Sequence, residues 1–350
     1  MNITLKHASF QNAKAHENRI YELQQSFHRI IDAAEGQNAD ALFLAGDLFD
    51  DPYMPLQEME KIFHKLSELD CEVFLLIGNH DVFLQNASYQ NLLKGKNIHL
   101  FSQNEYKVET KDAIVFGLNT RDFTEERLKK IAQEAESEKN TVLLLHGDVT
   151  NKQDDHYLTD IKTLESLPFD YIALGHIHKH AFLRSHIAYS GNPEPLDFSE
   201  TEEKGYIEGT LENKRLDARF VPMQKRRFRL REVTLSGTET FVDIVEAIKR
   251  AVKEEERRND FIRVVVKGEI DHTDELDVKK LQDQLSEDFY YIEIKDETVP
   301  SIDLSALKET YSDSIVSHLI EQYEKNPSEK GYESLMLAIR ALLWTKERET

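Results

Sequence analysis

Four segments of the chain carry side chains that bind metal ions or move protons: Gly46-Asp47, Gly78-Asn79-His80-Asp81, His146-Gly147-Asp148 and Gly175-His176-Ile177-His178. Asp47, Asn79, His146, His176 and His178 supply carboxylate, amide and imidazole donors and no thiolate, a set that suits Mn, Fe or Zn better than a structural cysteine site. It reads as an open hydrolytic centre. In a two-metal hydrolase one carboxylate bridges both ions and neutral ligands complete each shell. The open positions take substrate phosphate oxygens and a water whose pKa is lowered toward about 7. Asp47 is the natural bridge. His80, one residue beyond Asn79, is placed to protonate a leaving oxygen, with Asp81 orienting its ring. A single Gly-Asp or Gly-His after a strand is ordinary turn chemistry, but four of them, each after an apolar run, argue for a site.

The elements that must position these groups show as apolar runs. Residues 41–45 (ALFLA), 73–77 (VFLLI), 114–118 (IVFGL), 142–145 (VLLL) and 171–174 (YIAL) are short and nearly continuous, as in strands buried on both faces. Periodic helical stretches at 20–35 and 56–69 give the alternation of an α/β domain with helix-covered sheets. The candidate ligands then gather just beyond strand carboxyl ends, where open α/β sheets hold their ligands. Residues 191–195 (GNPEP) lead into a strand-like region ending near 222. From 226 to 298 the pattern becomes strand (227–235), helix (241–258), strand (261–267), helix (278–285) and strand (289–295), a compact α+β unit. Beyond Pro300, Ile315, Val316, Leu319, Ile320 and Tyr323, then Leu335, Ile339, Leu342 and Leu343, recur at helical spacing. The predicted boundaries are 1–223, 224–298 and 299–350.

Length and composition bound the reading. The 350 residues predict two domains with a small third element. With 40% apolar and 31% charged residues the chain can bury a core, which rules out wholesale disorder. No apolar run approaches the roughly 18 residues that cross a bilayer, so no membrane span is expected. The N-terminus carries no leader pattern and Cys71 is the single cysteine, so a cytoplasmic protein without disulfides is expected. Against 65 acidic residues stand 44 basic ones, a net charge of −21, which argues against a general polyanion coat. Contact with nucleic acid would need bound cations, a partner or a local strip. Lys225, Arg226, Arg227, Arg229 and Arg231 form the strongest strip, whose structural alternative is the basic face of an edge strand. His16, His28, His64, His99, His156, His180, His186, His272 and His318 have no motif context and read as surface or packing residues, and Asp50 and Asp51 as loop residues. Trp344 reads as a core or interface anchor.

The ordered motifs at 46–47, 78–81, 146–147 and 175–178 resemble those of the calcineurin-like metallophosphoesterases. Within that superfamily the segment AGDLFD (45–50), the segment SGNPEPLDFSE (190–200) and the small α+β unit resemble the SbcD-like DNA repair nucleases, whose partner is an SMC-type ATPase. The resemblance covers roughly residues 20–345. It implies a two-sheet α/β sandwich, a small α+β cap that helps hold DNA and a helical C-terminal tail that docks on the ATPase. It also implies cleavage of DNA phosphodiesters at a dinuclear centre, with Mn the expected divalent ion. One metal would be held by Asp47, Asn79, His146 and His176, the other by Asp47 and His178, with His80 as the acid on the leaving group. The expected partners are DNA and the ATPase, with a homodimer admitted.

The departure lies at the N-terminus. The family opens with a strand followed by Asp-x-His, two further ligands of the second metal, whereas this chain reads Leu5-Lys6-His7-Ala8-Ser9-Phe10-Gln11-Asn12 and has no aspartate before Asp32. Asp32 sits within the first helical stretch, away from the strand end. One tight metal site and a weak second one are therefore expected. Two readings follow: a weakened or one-metal phosphodiesterase using Gln11, His7 or His16 as a poor ligand, or a non-catalytic scaffold subunit that keeps the fold and one metal. A phosphoesterase for nucleotides or phosphoproteins is a third, disfavoured by the second domain and the tail. The apolar band over 332–344 needs a cover, either the helix near 315–323 in an antiparallel pair or a groove on the partner.

Overall fold

The structure is a computed structural model that describes residues 13–49, 55–86, 89, 92–93, 95–271, 275–301 and 303–347; within these, the side chains of 13–17, 85, 329, 333, 340 and 343–347 lie outside the description. The segment from His7 to Asn12, Asp50, Asp51 and His272, and the side chains of His16, Leu343 and Trp344, thus lie outside the described residues. The chain divides into two compact units, residues 1–229 with 259–261, and residues 230–258 with 262–350. Among the described residues no helix is long and apolar enough to cross a membrane.

The first unit holds two sheets. Strands β1 (Ala41–Leu44), β2 (Glu72–Leu75) and β3 (Ile98–Leu100) form a parallel sheet in that order. Strands β4 (Lys107–Glu109), β5 (Ala113–Leu118), β6 (Asn140–His146), β7 (Tyr171–Gly175), β8 (Ala181–Arg184) and β9 (Ile187–Tyr189) form the second, in the order β4-β5-β6-β7-β9-β8. Its inner strands β5, β6, β7 and β9 are parallel, and β4 and β8 close the edges antiparallel. The continuous apolar runs follow from this arrangement, because successive side chains of a strand face opposite sides. In β6, Val142 and Leu144 meet Phe74, Leu76, Phe101, Val115 and Ala173 in a core shared by both sheets. Leu143 and Leu145 face the other way, against Leu128, Ile131 and Leu164.

Helices α1 (Ala13–Gly36) and α2 (Leu56–Ser67) cover the first sheet, placing Phe27, Ile31, Met59, Phe63 and Leu66 on Val73, Leu75 and Ile77. Helices α3 (Glu125–Glu134) and α4 (Ile161–Glu165) cover the second. Thr124 caps α3 by accepting from Arg127 N at 3.1 Å, and Asp160 caps α4 by accepting from Thr163 N at 2.9 Å. The strand-like region ending at 222 is a hairpin of β10 (Gly205–Glu212) and β11 (Arg215–Pro222), paired over eight residues. Its two-residue turn puts Asn213 and Lys214 at φ 51° and 64°, the conformation that matches the twist of a tight hairpin.

In the second unit, β12 (Phe228–Ser236) and β13 (Phe261–Ile270), whose residues 228, 229 and 261 fall in the first unit, and β14 (Tyr291–Pro300) form a sheet in the order β12-β13-β14. Helices α5 (Phe241–Ala251), α6 (Glu254–Asn259) and α7 (Val278–Leu285) accompany it. Ile244, Val245, Ile248, Leu281 and Leu285 pack on Val233, Leu235, Ile262, Val264, Val266, Ile292 and Ile294. The single helix expected over 241–258 is broken: Val252 turns extended at φ −124°, ψ 127° and drops its side chain into this core, and Glu254, Glu255 and Glu256 start a new helix with acids at its N-terminus.

The tail forms α8 (Leu304–Thr310), α9 (Ile315–Lys325) and α10 (Glu329–Glu347). Helix α8, absent from the periodicity reading, starts where Asp303 accepts from Ser305 N and Ala306 N. Val316 and Ile320 of α9 pack on Leu335 and Ile339 of α10, with Leu304, Leu307 and Tyr311 alongside. The intramolecular cover is thus formed, although Leu337 remains 74% exposed.

Candidate metal centre

The centre is assembled by loops that leave β1, β2, β6 and β7 at their carboxyl ends. After β1 the backbone turns left-handed at Gly46 (φ 89°) and Asp47 (φ 53°). Gly46 has no substitute there: a Cβ would lie 2.3 Å from His146 Nδ1. The fully buried Asp81 holds this loop, its Oδ2 accepting from Leu48 N at 2.9 Å and its Oδ1 from Phe49 N at 2.8 Å. Asp81 is expected to orient His80; both its oxygens instead brace the loop that carries Asp47. Burial raises the Asp81 carboxyl above the usual carboxylate range, with the charge of Asp47 adding to the shift.

Asp47 Oδ1 accepts from His80 N at 2.9 Å, and its Oδ2 lies 3.1 Å from His146 Nε2. His146 Nδ1 donates to Ala45 O at 2.8 Å. A carbonyl can only accept, so the ring hydrogen sits on Nδ1 and Nε2 is turned to Asp47 and to Asn79 Oδ1, 2.9 Å away. Asn79 Oδ1 is also 3.3 Å from His176 Nδ1. Ligand atoms of Asp47, His146 and His176 all lie within 4.8 Å of one another. Such a crowd of lone pairs calls for a cation: a second proton on the imidazole or a metal ion. An Asp, two His and an Asn oxygen fit a divalent ion of the Mn, Fe or Zn kind. Burial alone would raise the Asp47 carboxyl, but its contacts with His146 and the amide of His80 hold it well below the carboxylate range.

His176 adopts φ 93°, rare for a residue with a side chain and a mark of backbone strain held by its surroundings. Its Nε2 is 3.5 Å from Asp154 Oδ1, and the His156 ring stands edge-on to it at 5.0 Å. Burial and the neighbouring His146 lower its pKa. His178 stands outside the converged set, with Nδ1 2.6 Å from Glu200 Oε1, though it lines one cavity with Asp47 and His176. The exposed His80 lies beside Asp47 through its backbone.

Sequence reasoning missed Asn119, which accepts from Ile77 N at 2.9 Å and donates to Phe101 O at 3.1 Å, bracing the end of the second apolar run. It also missed Asp154, and His156, read as a surface or packing residue, which both stand beside His176, and Glu200, which lies inside the 190–200 segment.

The arginines of the basic strip already face acids. Arg226 Nε meets Glu22 at 2.7 Å, Arg229 Nε meets the buried Asp260 at 2.6 Å, Arg231 meets Glu256 at 2.7 Å, and Arg227 pairs with Glu203. Lys225 is exposed.

Residues 11–180 match the family model described as calcineurin-like phosphoesterase. Among curated proteins, the chain is 28% identical over 197 residues to the uncharacterized metallophosphoesterase YhaO of Bacillus subtilis, covering 52% of this chain and 48% of that protein. It is 29% identical over 224 residues to the DNA double-strand break repair protein Mre11 of Methanococcus maripaludis, covering 57% of this chain and 59% of that one. It is 23% identical over 238 residues to one of the subunits of the nuclease SbcCD of Escherichia coli, covering 55% and 60%. The match therefore spans about half to three fifths of these relatives.

Proposed function

Residues 11–180 carry a calcineurin-like phosphoesterase domain, and from that premise we propose that the chain is a metal-dependent DNA phosphodiesterase, an SbcD-like exo- or endonuclease acting in DNA repair with an SMC-type ATPase in the cytoplasm. The observation that carries this reading is the convergence of Asp47, Asn79, His146 and His176 at the strand ends. Those four residues would hold a divalent ion, Mn2+ by preference, which would supply Lewis acidity toward the phosphate and an activated water. Asp47 sets the charge of the site, and the Ala45 carbonyl keeps His146 Nε2 aimed at it. His80 protonates the leaving oxygen from its position next to Asp47. The deciding assay is Mn2+-dependent cleavage of linear and nicked DNA by the wild type and by Asp47→Ala.

A specific observation favours a second reading, a scaffold subunit that binds one metal and DNA without turnover: the segment His7-Ala8-Ser9-Phe10-Gln11-Asn12 contains no carboxylate. Both readings share one expectation. After desalting, the purified chain should retain about one tightly held divalent ion, because four donors serve one site and a shared Asp47 with His178 serve its neighbour. Elemental analysis checks this; two stoichiometric ions that survive gentle chelation would contradict it.

DNA would reach the protein through Lys225, Arg226, Arg227, Arg229 and Arg231, and the ATPase through α9 and α10, where Leu337 is exposed. The triple variant Arg226→Ala, Arg227→Ala, Arg229→Ala should weaken DNA binding and reduce the salt slope by about one for each arginine that neutralises a phosphate. Arg229→Ala alone should cost about 1–3 kcal/mol of stability by stripping a partner from Asp260. An unchanged salt slope with a lowered Tm assigns the strip to structure.

A further inference from the structure

The loop after the second histidine of the 175–178 motif contains an acid that the phosphoesterase reading leaves unused. Glu200 is gathered by four donors. Its Oε1 lies 2.6 Å from His178 Nδ1, and its Oε2 accepts from Asn192 Nδ2 at 3.0 Å and Leu196 N at 3.1 Å and pairs with Lys204 Nζ at 3.1 Å. Lys204 is 1% exposed, so its charge is sealed in. Its ammonium also donates to His178 O at 2.8 Å and to Glu202 Oε1 at 2.7 Å. One buried cation thus grips both the backbone of His178 and the carboxylate that touches its ring. Burying a lysine is costly unless it is fully paired, and here two of its three partners, His178 O and Glu200, belong to or touch one histidine.

We propose that Glu200, held by Lys204 and Asn192, is a positioning residue that fixes His178 with its hydrogen on Nδ1, leaving Nε2 as the ring nitrogen free to bind a metal ion. Glu200 as a carboxylate can only accept, so at 2.6 Å the shared hydrogen belongs to the Nδ1–Oε1 contact, and the partner of one ring nitrogen sets the role of the other. This inference deepens the phosphoesterase reading, on which the ligand role of His178 rests. A weak second site with few protein ligands depends more than a strong one on a ring that is already aimed and polarised, and loss of such an outer partner ordinarily costs 10–100-fold in metal affinity.

The test reads the ring directly. Imidazole 15N–1H correlation spectra of the metal-free full chain, at about pH 8.5 where an ordinary imidazole is neutral, would be assigned through His178→Gln. The wild type should show His178 protonated on Nδ1. Glu200→Ala should move the population toward the Nε2-protonated form, and Glu200→Gln, which keeps an acceptor and the volume, should restore it. Mn2+ titration should show the weaker ion loosened about 10–100-fold in Glu200→Ala, with the tight ion at Asp47 unchanged. A wild-type His178 protonated on Nε2, or a tautomer and ion affinity unmoved in Glu200→Ala, overturns the proposal. Should Glu200→Ala fail to melt cooperatively, the wild-type tautomer and Glu200→Gln carry the test alone. If the wild type binds no Mn2+, the phosphoesterase reading fails, while the metal-free spectra still decide the role of Glu200.

Discussion

Asp47→Ala is expected to abolish tight metal binding and to lower phosphodiester hydrolysis by at least about a thousandfold, more than the loss of a single electrostatic donor in an active site. The carboxylate is the only negative group in the set that gathers Asp47, His146 and His176, and without it the neutral donors that remain bind divalent ions weakly. The fold should survive, because Asp47 lies in a strand-end loop braced by the buried Asp81 and not in the shared core. The clearest readout is thermal. At an Mn2+ concentration of about 100 times its Kd, a ligand that binds only the native state adds about 2.7 kcal/mol, so the wild-type Tm should rise on adding Mn2+ and the variant's should not. An equal rise in both would remove Asp47 from the centre.

His80→Ala is expected to leave metal content and Tm intact while lowering DNA cleavage by about a hundred- to ten-thousandfold, the usual contribution of a general acid. The residue touches Asp47 through its backbone amide, which alanine retains. The deficit should shrink on a diester with a p-nitrophenol leaving group, since a weakly basic phenolate departs without a proton. Loss of metal in His80→Ala, or an equal deficit on both substrates, would contradict the leaving-group role.

Legibility followed the periodicity of burial. The five apolar runs mark β1, β2, β5, β6 and β7 because each packs on both faces, as Val142 and Leu144 against Leu143 and Leu145 illustrate, although Ala41, Leu42 and Phe43 of β1 stay half-buried. The break in the helix expected over 241–258 was hidden because Val252 sits at a position that continues the apolar stripe; only packing distinguishes a helical valine from an extended one dropped into the core. Helix α8 is short and amphipathic over two turns, too few to establish a period.

At the candidate centre, the side chains that converge, Asp47, Asn79, His146 and His176, were legible as residues just beyond each strand. Their supports were not, because bracing residues act through backbone groups and long sequence separations. Asp81 faces the amides of Leu48 and Phe49, Asn119 holds Ile77 and Phe101, and Ala45 sets the tautomer of His146 from 101 positions away. The strip at 225–231 illustrates the converse. Its charge density is plain in the sequence, while the acids that meet its arginines come from 22, 203, 256 and 260.

Whether the Asp47 centre hydrolyses DNA phosphodiesters with a bound divalent ion is decided by the release of acid-soluble nucleotides from linear DNA by the 350-residue chain in Mn2+. The expected result is turnover by the wild type that disappears with EDTA and in Asp47→Ala. Wild-type protein that holds its metal and binds DNA but releases nothing, or an Asp47→Ala protein that cleaves as the wild type does, would contradict it.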